Sequence, residues 1–260
     1  MNKVLDCIKY VEDEKNRIKK LNIRPTLVVI NASDDNSSES YIKSKKKLCE
    51  ELNFNFKLIK YNSNVLESEI IDNIKELNSD NNITGIILQL PIYNHLNKHN
   101  IINTINPLKD IDGLTTTNKG LLDTNNAIHI PNTPLGIINL LKYYKIDIEG
   151  KYIVILGRSE LVGLPLYKLL LKENATVTIC HSKTKDITNY TKQADIIISA
   201  IGKPKYITND MIKDNSILID VGITNIDNKL YGDIDFDNVI NKCKYITKVP
   251  NGIGIITTIT

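Results

Sequence analysis

Short apolar runs rich in valine and isoleucine recur along the chain: TLVVI (26–30), FKLIKY (56–61), ITGIILQL (83–90), YIVILG (152–157), ATVTIC (175–180), DIIISAIG (195–202) and SILIDVG (216–222). Segments of helical periodicity, such as VLESEIIDNIKEL and LPLYKLLLKE, lie between most of them. Near-continuous apolar strands alternating with helices predict parallel sheets covered on both faces, an α/β fold. Two such series occur. The polar stretch LTTTNKGLLDTNNAIHIPNTPLG (114–136) separates them, and a helical segment, IINLLKYYKI, follows it and is expected to cross between two domains.

Within the first series, YIKSKKKLCEEL is charged but periodic. On a helix, Tyr41, Lys45, Leu48 and Leu52 share one face, bordered by Ile42 and Cys49, while Lys43, Lys46, Lys47, Glu50 and Glu51 point away. Lys45 is the exception on the apolar stripe. A buried ammonium requires a partner, a wet cleft or a chemical role.

Composition narrows the classes without selecting one. The 260 residues suit two modest domains, and 42% hydrophobic with 24% charged residues is ordinary for a globular protein. With 33 basic and 30 acidic groups the formal charge is only +3, so neither charge nor motif points to nucleic acid. No apolar run approaches the roughly 20 residues of a membrane span. The N-terminal segment alternates apolar and charged residues without the apolar core of a signal peptide, so a cytoplasmic location and no membrane partner are expected. Cys7, Cys49, Cys180 and Cys243 are scattered, which suggests neither a disulfide framework nor a cysteine zinc site. His95 and His99 stand four apart in HLNKH, but the glutamate of a zinc-protease helix is missing; a solvated helix face, and no metal, is expected.

The second series carries a clearer chemical signal. YIVILGRSELVGLPLYKLLLKENATVTICHS reads as strand, turn, helix, strand, with Gly157 ending the first strand, Gly163 opening the helix and Pro165 in its first turn. Glycines there let backbone approach a diphosphate, and helix N-terminal amides attract its charge; the plainer reading is that Gly163 only permits close helix–sheet packing. NAD enzymes usually end the second strand with a carboxylate for the ribose 2′-hydroxyl. Here the chain continues Cys180, His181, Ser182, Lys183. Nothing there repels a 2′-phosphate, and Arg158 and Ser182 are placed to bind one, so NADP is favoured over NAD. His181 either borders that site or is a surface histidine. The later strand ends, Ala200-Ile201-Gly202 and Val221-Gly222-Ile223, are expected to line the same crevice.

In the first series Gln89 ends a strand in ILQLP, and PLKDIDGL presents Asp110 and Asp112 in a loop. Alone, these are a polar strand end and a turn. Together, YIKSK, QLP, KDIDG, GRSELVGLP, ATVTICHSKT, ADIIISAIG, DVGI and VPNGIG, in this order, resemble the bifunctional methylenetetrahydrofolate dehydrogenase/methenyltetrahydrofolate cyclohydrolase family over about Pro25 to Thr258. The resemblance implies an N-terminal folate-binding catalytic domain over 1–130, with 247–260 returning to it. It further implies a Rossmann-like NADP-binding domain over 131–246, with a cleft between the two.

Residue by residue, the resemblance implies a catalytic Lys45, with Tyr41 lying against the folate, Gln89 bonded near the lysine and Asp112 holding the pterin. Gly157, Arg158, Ser159, His181, Ser182, Gly202, Gly222 and Ile223 would meet NADP, and Pro250, Gly252 and Gly254 would reach the folate. The implied partners are tetrahydrofolate one-carbon derivatives and a second copy of the chain, as a homodimer. Where the family reads PVPGGVGPMT this chain has KVPNGIGIITT, with Lys248, Asn251, Ile255 and Ile256 in place of proline, glycine, proline and methionine. PCTP is PNTP (131–134), VGD is INASDD, and the family's trailing helix is expected to be missing. These departures leave two alternatives: an NADP-dependent dehydrogenase without cyclohydrolase activity, and a non-catalytic NADP-binding protein.

Overall fold

The computed structural model describes residues 3–124, 126–227 and 229–260, the side chains of residues 36 and 37 excepted. In its first part the chain runs α1 (Cys7–Lys19), β1 (Thr26–Asn31), α2 (Asn36–Glu51), β2 (Asn55–Lys60), α3 (Glu67–Ser79), β3 (Gly85–Gln89), α4 (Lys98–Thr104) and α5 (Thr116–Asp123). There follow α6 (Asn132–Tyr143), β4 (Tyr152–Leu156), α7 (Gly163–Lys172), β5 (Thr176–Cys180), α8 (Ile187–Thr191), β6 (Ile196–Ser199) and β7 (Ile217–Asp220). The last elements are β8 (Thr224–Ile226), β9 (Lys229–Tyr231), α9 (Phe236–Val239), β10 (Tyr245–Ile246) and α10 (Ile253–Ile259). Each apolar run read as a strand is one.

Two compact units result. One comprises Lys15–Asn132; the other joins the residues up to Glu14 with Thr133–Thr260. Residues 247–260, expected to return to the N-terminal domain, group with 133–246 instead.

In the Lys15–Asn132 unit the parallel order is β2-β1-β3. Central β1 buries side chains on both faces. Ile30 packs with Ile70, Ile74 and Leu77, one α3 face at helical spacing, while Val29 packs with Ile42 of α2 and Ile87 of β3. The free edge of β3 is covered by the KDIDG segment: Ile86 N donates to Lys109 O at 2.7 Å, in a parallel bridge with Asp110. That bridge lays the aspartate loop beside the strand ending in Gln89.

In the other unit five parallel strands lie in the order β10-β7-β6-β4-β5, with β8 and β9 as a separate antiparallel pair. From β4 the chain moves outward to β5 and then back to β6. The carboxyl ends of β4 and β6 therefore flank a topological switch point, where open α/β sheets place ligands. The N-terminal segment joins this unit through Leu5 N to Ile246 O and Ile246 N to Lys3 O, both 2.9 Å, and through Tyr143 Oη donating to Asp13 Oδ2 at 2.5 Å.

Two features depart from the sequence reading. The polar stretch 114–136 contains α5, capped by Thr115, whose hydroxyl accepts from Asn118 N at 3.2 Å. The following helix starts at Asn132 rather than near Ile137, with Pro134 in its first turn, where proline is tolerated. Ile74 is fully buried in the first unit. Ile74→Ala should lower stability by about 2–5 kcal/mol, read from urea denaturation.

Candidate functional site

Helix α2 is capped by Asp35, whose carboxylate accepts from Ser38 N at 2.8 Å. Its buried line runs through Ser38, Ile42, Cys49 and Leu52, whereas Tyr41 is 38% exposed. The helix is thus rolled by about one residue from the face expected. The physical reason is that Ile42 fills the apolar space over Val29 and Ile87, and Ser38 Oγ donates to Leu90 O at 3.2 Å. Lys45, one turn beyond Ile42, falls at the edge of this face, half-buried, with Tyr41 a turn before it on the outer side.

The Lys45 ammonium finds a partner. Nζ donates to Gln89 Oε1 at 2.9 Å. Gln89 is buried at the end of β3, and its Nε2 donates to Leu90 O at 3.0 Å, which fixes the amide with its oxygen toward the lysine. The contact is neutral on the glutamine side, so it orients Lys45 without adding an anion.

Asp112 completes the cluster. Burial pushes its carboxyl above the ordinary carboxylate value; the positive charge of Lys45 opposes that, Asp110 adds to it, and a hydrogen bond from Asn132 opposes it again. Asn132 Nδ2 donates to Asp112 Oδ1 at 2.8 Å. The neighbouring Asp110 does not face this group. Its oxygens accept from Leu114 N at 3.1 Å, Thr115 N at 2.8 Å and Asn118 Nδ2 at 2.8 Å, which pins the loop to the start of α5. The sequence reading missed Asn132 as a partner of Asp112, although PNTP in place of PCTP marks the position.

The two histidines do not share a helix. His95 precedes α4 and bonds through Nε2 to Val65 O at 3.0 Å, while Asn97 caps the helix that contains His99. Among the described residues no three His, Cys, Asp or Glu side chains converge as a metal site.

In the five-stranded unit Leu156 pairs with Cys180, so Gly157–Ser159 and His181–Ser182 leave adjacent strands at the same edge. Gly157 has φ +110 and its N–H donates to Cys180 O at 2.9 Å. A Cβ on Gly163 would lie 2.2 Å from Gly157 O, so only glycine lets α7 begin this close to the strand. The packing reading of Gly163 is met: the helix start is brought against the turn. Arg158, Ser159 and Ser182 are exposed, and His181 Nδ1 accepts from Lys183 N at 3.1 Å. The Gly-rich turn, the α7 N-terminus and an exposed guanidinium fit a dinucleotide with a phosphorylated ribose. Gly202 and Gly222 follow β6 and β7, and Ile223 is 39% exposed beside Gly254. Pro250 follows a cis peptide bond and Gly252 precedes α10.

Comparison with known proteins decides the family. Residues 3–112 match the tetrahydrofolate dehydrogenase/cyclohydrolase catalytic domain, and residues 131–260 match the NAD(P)-binding domain of the same enzymes. The chain belongs to the tetrahydrofolate dehydrogenase/cyclohydrolase family. The bifunctional protein FolD of Clostridium tetani is 48% identical over 90% of this chain and 84% of its own. The crystal structure of the Campylobacter jejuni bifunctional enzyme FolD superimposes with a TM-score of 0.96 at 40% identity, covering 98% of this chain and 94% of that one. A Trypanosoma brucei methylenetetrahydrofolate dehydrogenase–cyclohydrolase, described as complexed with NADP cofactor and inhibitor, superimposes at 0.93 with 30% identity, covering 98% and 93%.

Burial lifts Asp220, at the end of β7, from the ordinary 3.8 to about 7; N–H donation by Ile234 and Asp233 pulls it down, and the Asp233 charge pushes it up. A raised value in the folded state means that its stabilising contribution is complete below about pH 4 and lost as pH rises through about 7. The Tm difference, native protein minus Asp220→Asn, should therefore fall between those pH values in thermal denaturation.

Proposed function

We infer that the protein oxidises 5,10-methylenetetrahydrofolate with NADP and hydrolyses the resulting 5,10-methenyl compound to 10-formyltetrahydrofolate. Both activities are those of its family, and identity extends over most of the chain. The observation that carries the residue assignment is the 2.9 Å contact of Lys45 with Gln89, made within electrostatic reach of Asp112.

When bound, NADP supplies the hydride acceptor for the one-carbon bridge. Arg158 and Ser182 hold its 2′-phosphate, and Gly157, Ser159 and the start of α7 hold the diphosphate. His181, Gly202, Gly222 and Ile223 border the same ligand. NADP rather than NAD is supported by the absence of a carboxylate after β5 and by the cofactor described for the T. brucei enzyme.

In the hydrolytic half-reaction water adds to the cationic methenyl carbon and loses one proton; the remaining hydroxyl proton passes to N5 as the bond from that carbon to N5 opens, leaving N5–H and the formyl group on N10. Lys45 moves the proton. Gln89 holds the lysine nitrogen in place, so its contribution is one of geometry. Asp112, itself held by Asn132, accepts from the pterin N–H donors, and the Tyr41 ring lies against the folate. A cytoplasmic setting accords with the four free, buried cysteines. Among the described residues no helix is long and apolar enough to cross a membrane. A homodimer without nucleic-acid or membrane partners completes the reading, resting on the family resemblance and the near-balanced charge.

Lys45→Ala should reduce methenyltetrahydrofolate hydrolysis by about 10²–10⁴-fold while leaving NADP affinity unchanged, as measured by loss of methenyl absorbance and by cofactor titration. Retained hydrolysis would remove Lys45 from this role. Arg158→Ala should weaken NADP by about 1.5–3 kcal/mol and NAD far less, in parallel titrations with the two cofactors.

A further inference from the structure

Beyond the groups already assigned, the five-stranded unit buries a pair of aspartates, Asp220 at 4% exposure and Asp233 at 0%. Asp233 follows β9, yet its carboxylate serves the chain after β6. Oδ2 accepts from Ser199 Oγ at 2.9 Å and Ile201 N at 2.8 Å, and Oδ1 accepts from Lys203 N at 2.8 Å. Two successive odd-numbered amides and one hydroxyl thus converge on a single carboxylate, with Gly202, at φ +65, between the two amides. The turn after β7 is gathered to the same place. Val221 N and Gly222 N donate to Ser199 O at 2.8 and 3.2 Å, and a Cβ on Gly222 would lie 2.1 Å from Asp233 Oδ1. Asp220 in turn holds Asp233, accepting from Asp233 N at 2.9 Å and Ile234 N at 3.0 Å.

These two turns, 200–203 and 221–223, are the ones that border the cofactor crevice in the reading above. A carboxylate held by neutral donors in a buried site is a rigid acceptor, because each bond lost leaves a charge unsolvated. We propose that Asp233 is a positioning residue for NADP: it sets the backbone of residues 201–203 and, through contact with Gly222, the turn after β7, so that both meet the cofactor preformed. Asp220 is the brace that fixes Asp233. The proposal rests on the functional reading given above, and it concerns binding rather than the proton transfer at Lys45.

The test separates the two. NADP affinity is measured by isothermal titration calorimetry, the dehydrogenase KM for NADP against kcat by steady-state kinetics, and hydrolysis of methenyltetrahydrofolate in the absence of NADP. Asp233→Asn keeps the shape but places an N–H where an acceptor is needed. It should weaken NADP binding and raise its KM by about tenfold or more, with NADP-free hydrolysis within about twofold of native. Ser199→Ala, which deletes one donor and leaves two, should give a smaller shift in the same direction; it serves as the deciding variant if Asp233→Asn does not fold. Native NADP affinity in whichever variant folds, or loss of NADP-free hydrolysis in step with loss of binding, overturns the proposal. Native protein that hydrolyses the folate but binds no NADP overturns it together with the cofactor assignment. Native protein that binds NADP but turns over no folate sinks the functional reading, and the positioning role is then decided by the affinities alone.

Discussion

Parallel pairing is the constraint from which both candidate sites follow. When every strand of a sheet runs the same way, each chain reversal after a strand falls at one edge, however far apart the strands are in sequence. In one unit this edge gathers Gln89 from the end of β3 and, by the bridge alongside that strand, the loop of Asp112; α2, entered from the end of β1, adds Lys45. In the other it gathers Gly157, His181, Ala200 and Val221 from four strands. Chemistry-bearing residues are scattered along the chain because the sheet, rather than the sequence, makes them neighbours.

Both units also meet the same electrostatic problem and answer it alike. Asp110 and Asp233 are carboxylates with almost no exposure, and each accepts from two backbone amides and one side-chain donor. Such donors stabilise the charge without the conformational freedom of a long basic side chain. Each aspartate holds the backbone shape of the turns around it. Lys45 is treated similarly, with a fixed neutral acceptor in place of a salt bridge.

The near-continuous apolar runs made the strands legible, since a parallel strand buried on both faces needs isoleucine and valine at successive positions. The ordered motifs made the family legible, and they singled out Lys45, Gln89 and Asp112, of which Lys45 bonds Gln89 and lies within electrostatic reach of Asp112. Other features left no such trace. Helix α5 buries only Asn118 and Leu122, so its sequence, TTNKGLLD, has too little apolar periodicity to be distinguished from a polar linker. The roll of α2 depends on Ser38 reaching Leu90 O, and a serine carries no hydrophobic signal. Asp233 sits beside a glycine, Asp110 in a turn-like sequence and Asp220 at the end of a strand, and nothing local distinguishes a buried aspartate there from an exposed one. Asn132 was visible only as an unexplained departure until its bond to Asp112 gave it a place.

The route of the chain through the two units has a further bearing on how the protein comes into being. Residues 15–132 form an uninterrupted stretch, so the ribosome delivers that whole unit before most of the other has been made. The leading residues belong elsewhere, and the backbone partner of Leu5 is Ile246. During translation Leu5 and its backbone partner lie 241 residues apart in the chain, so the two cannot pair until the stretch around Ile246 has also been made.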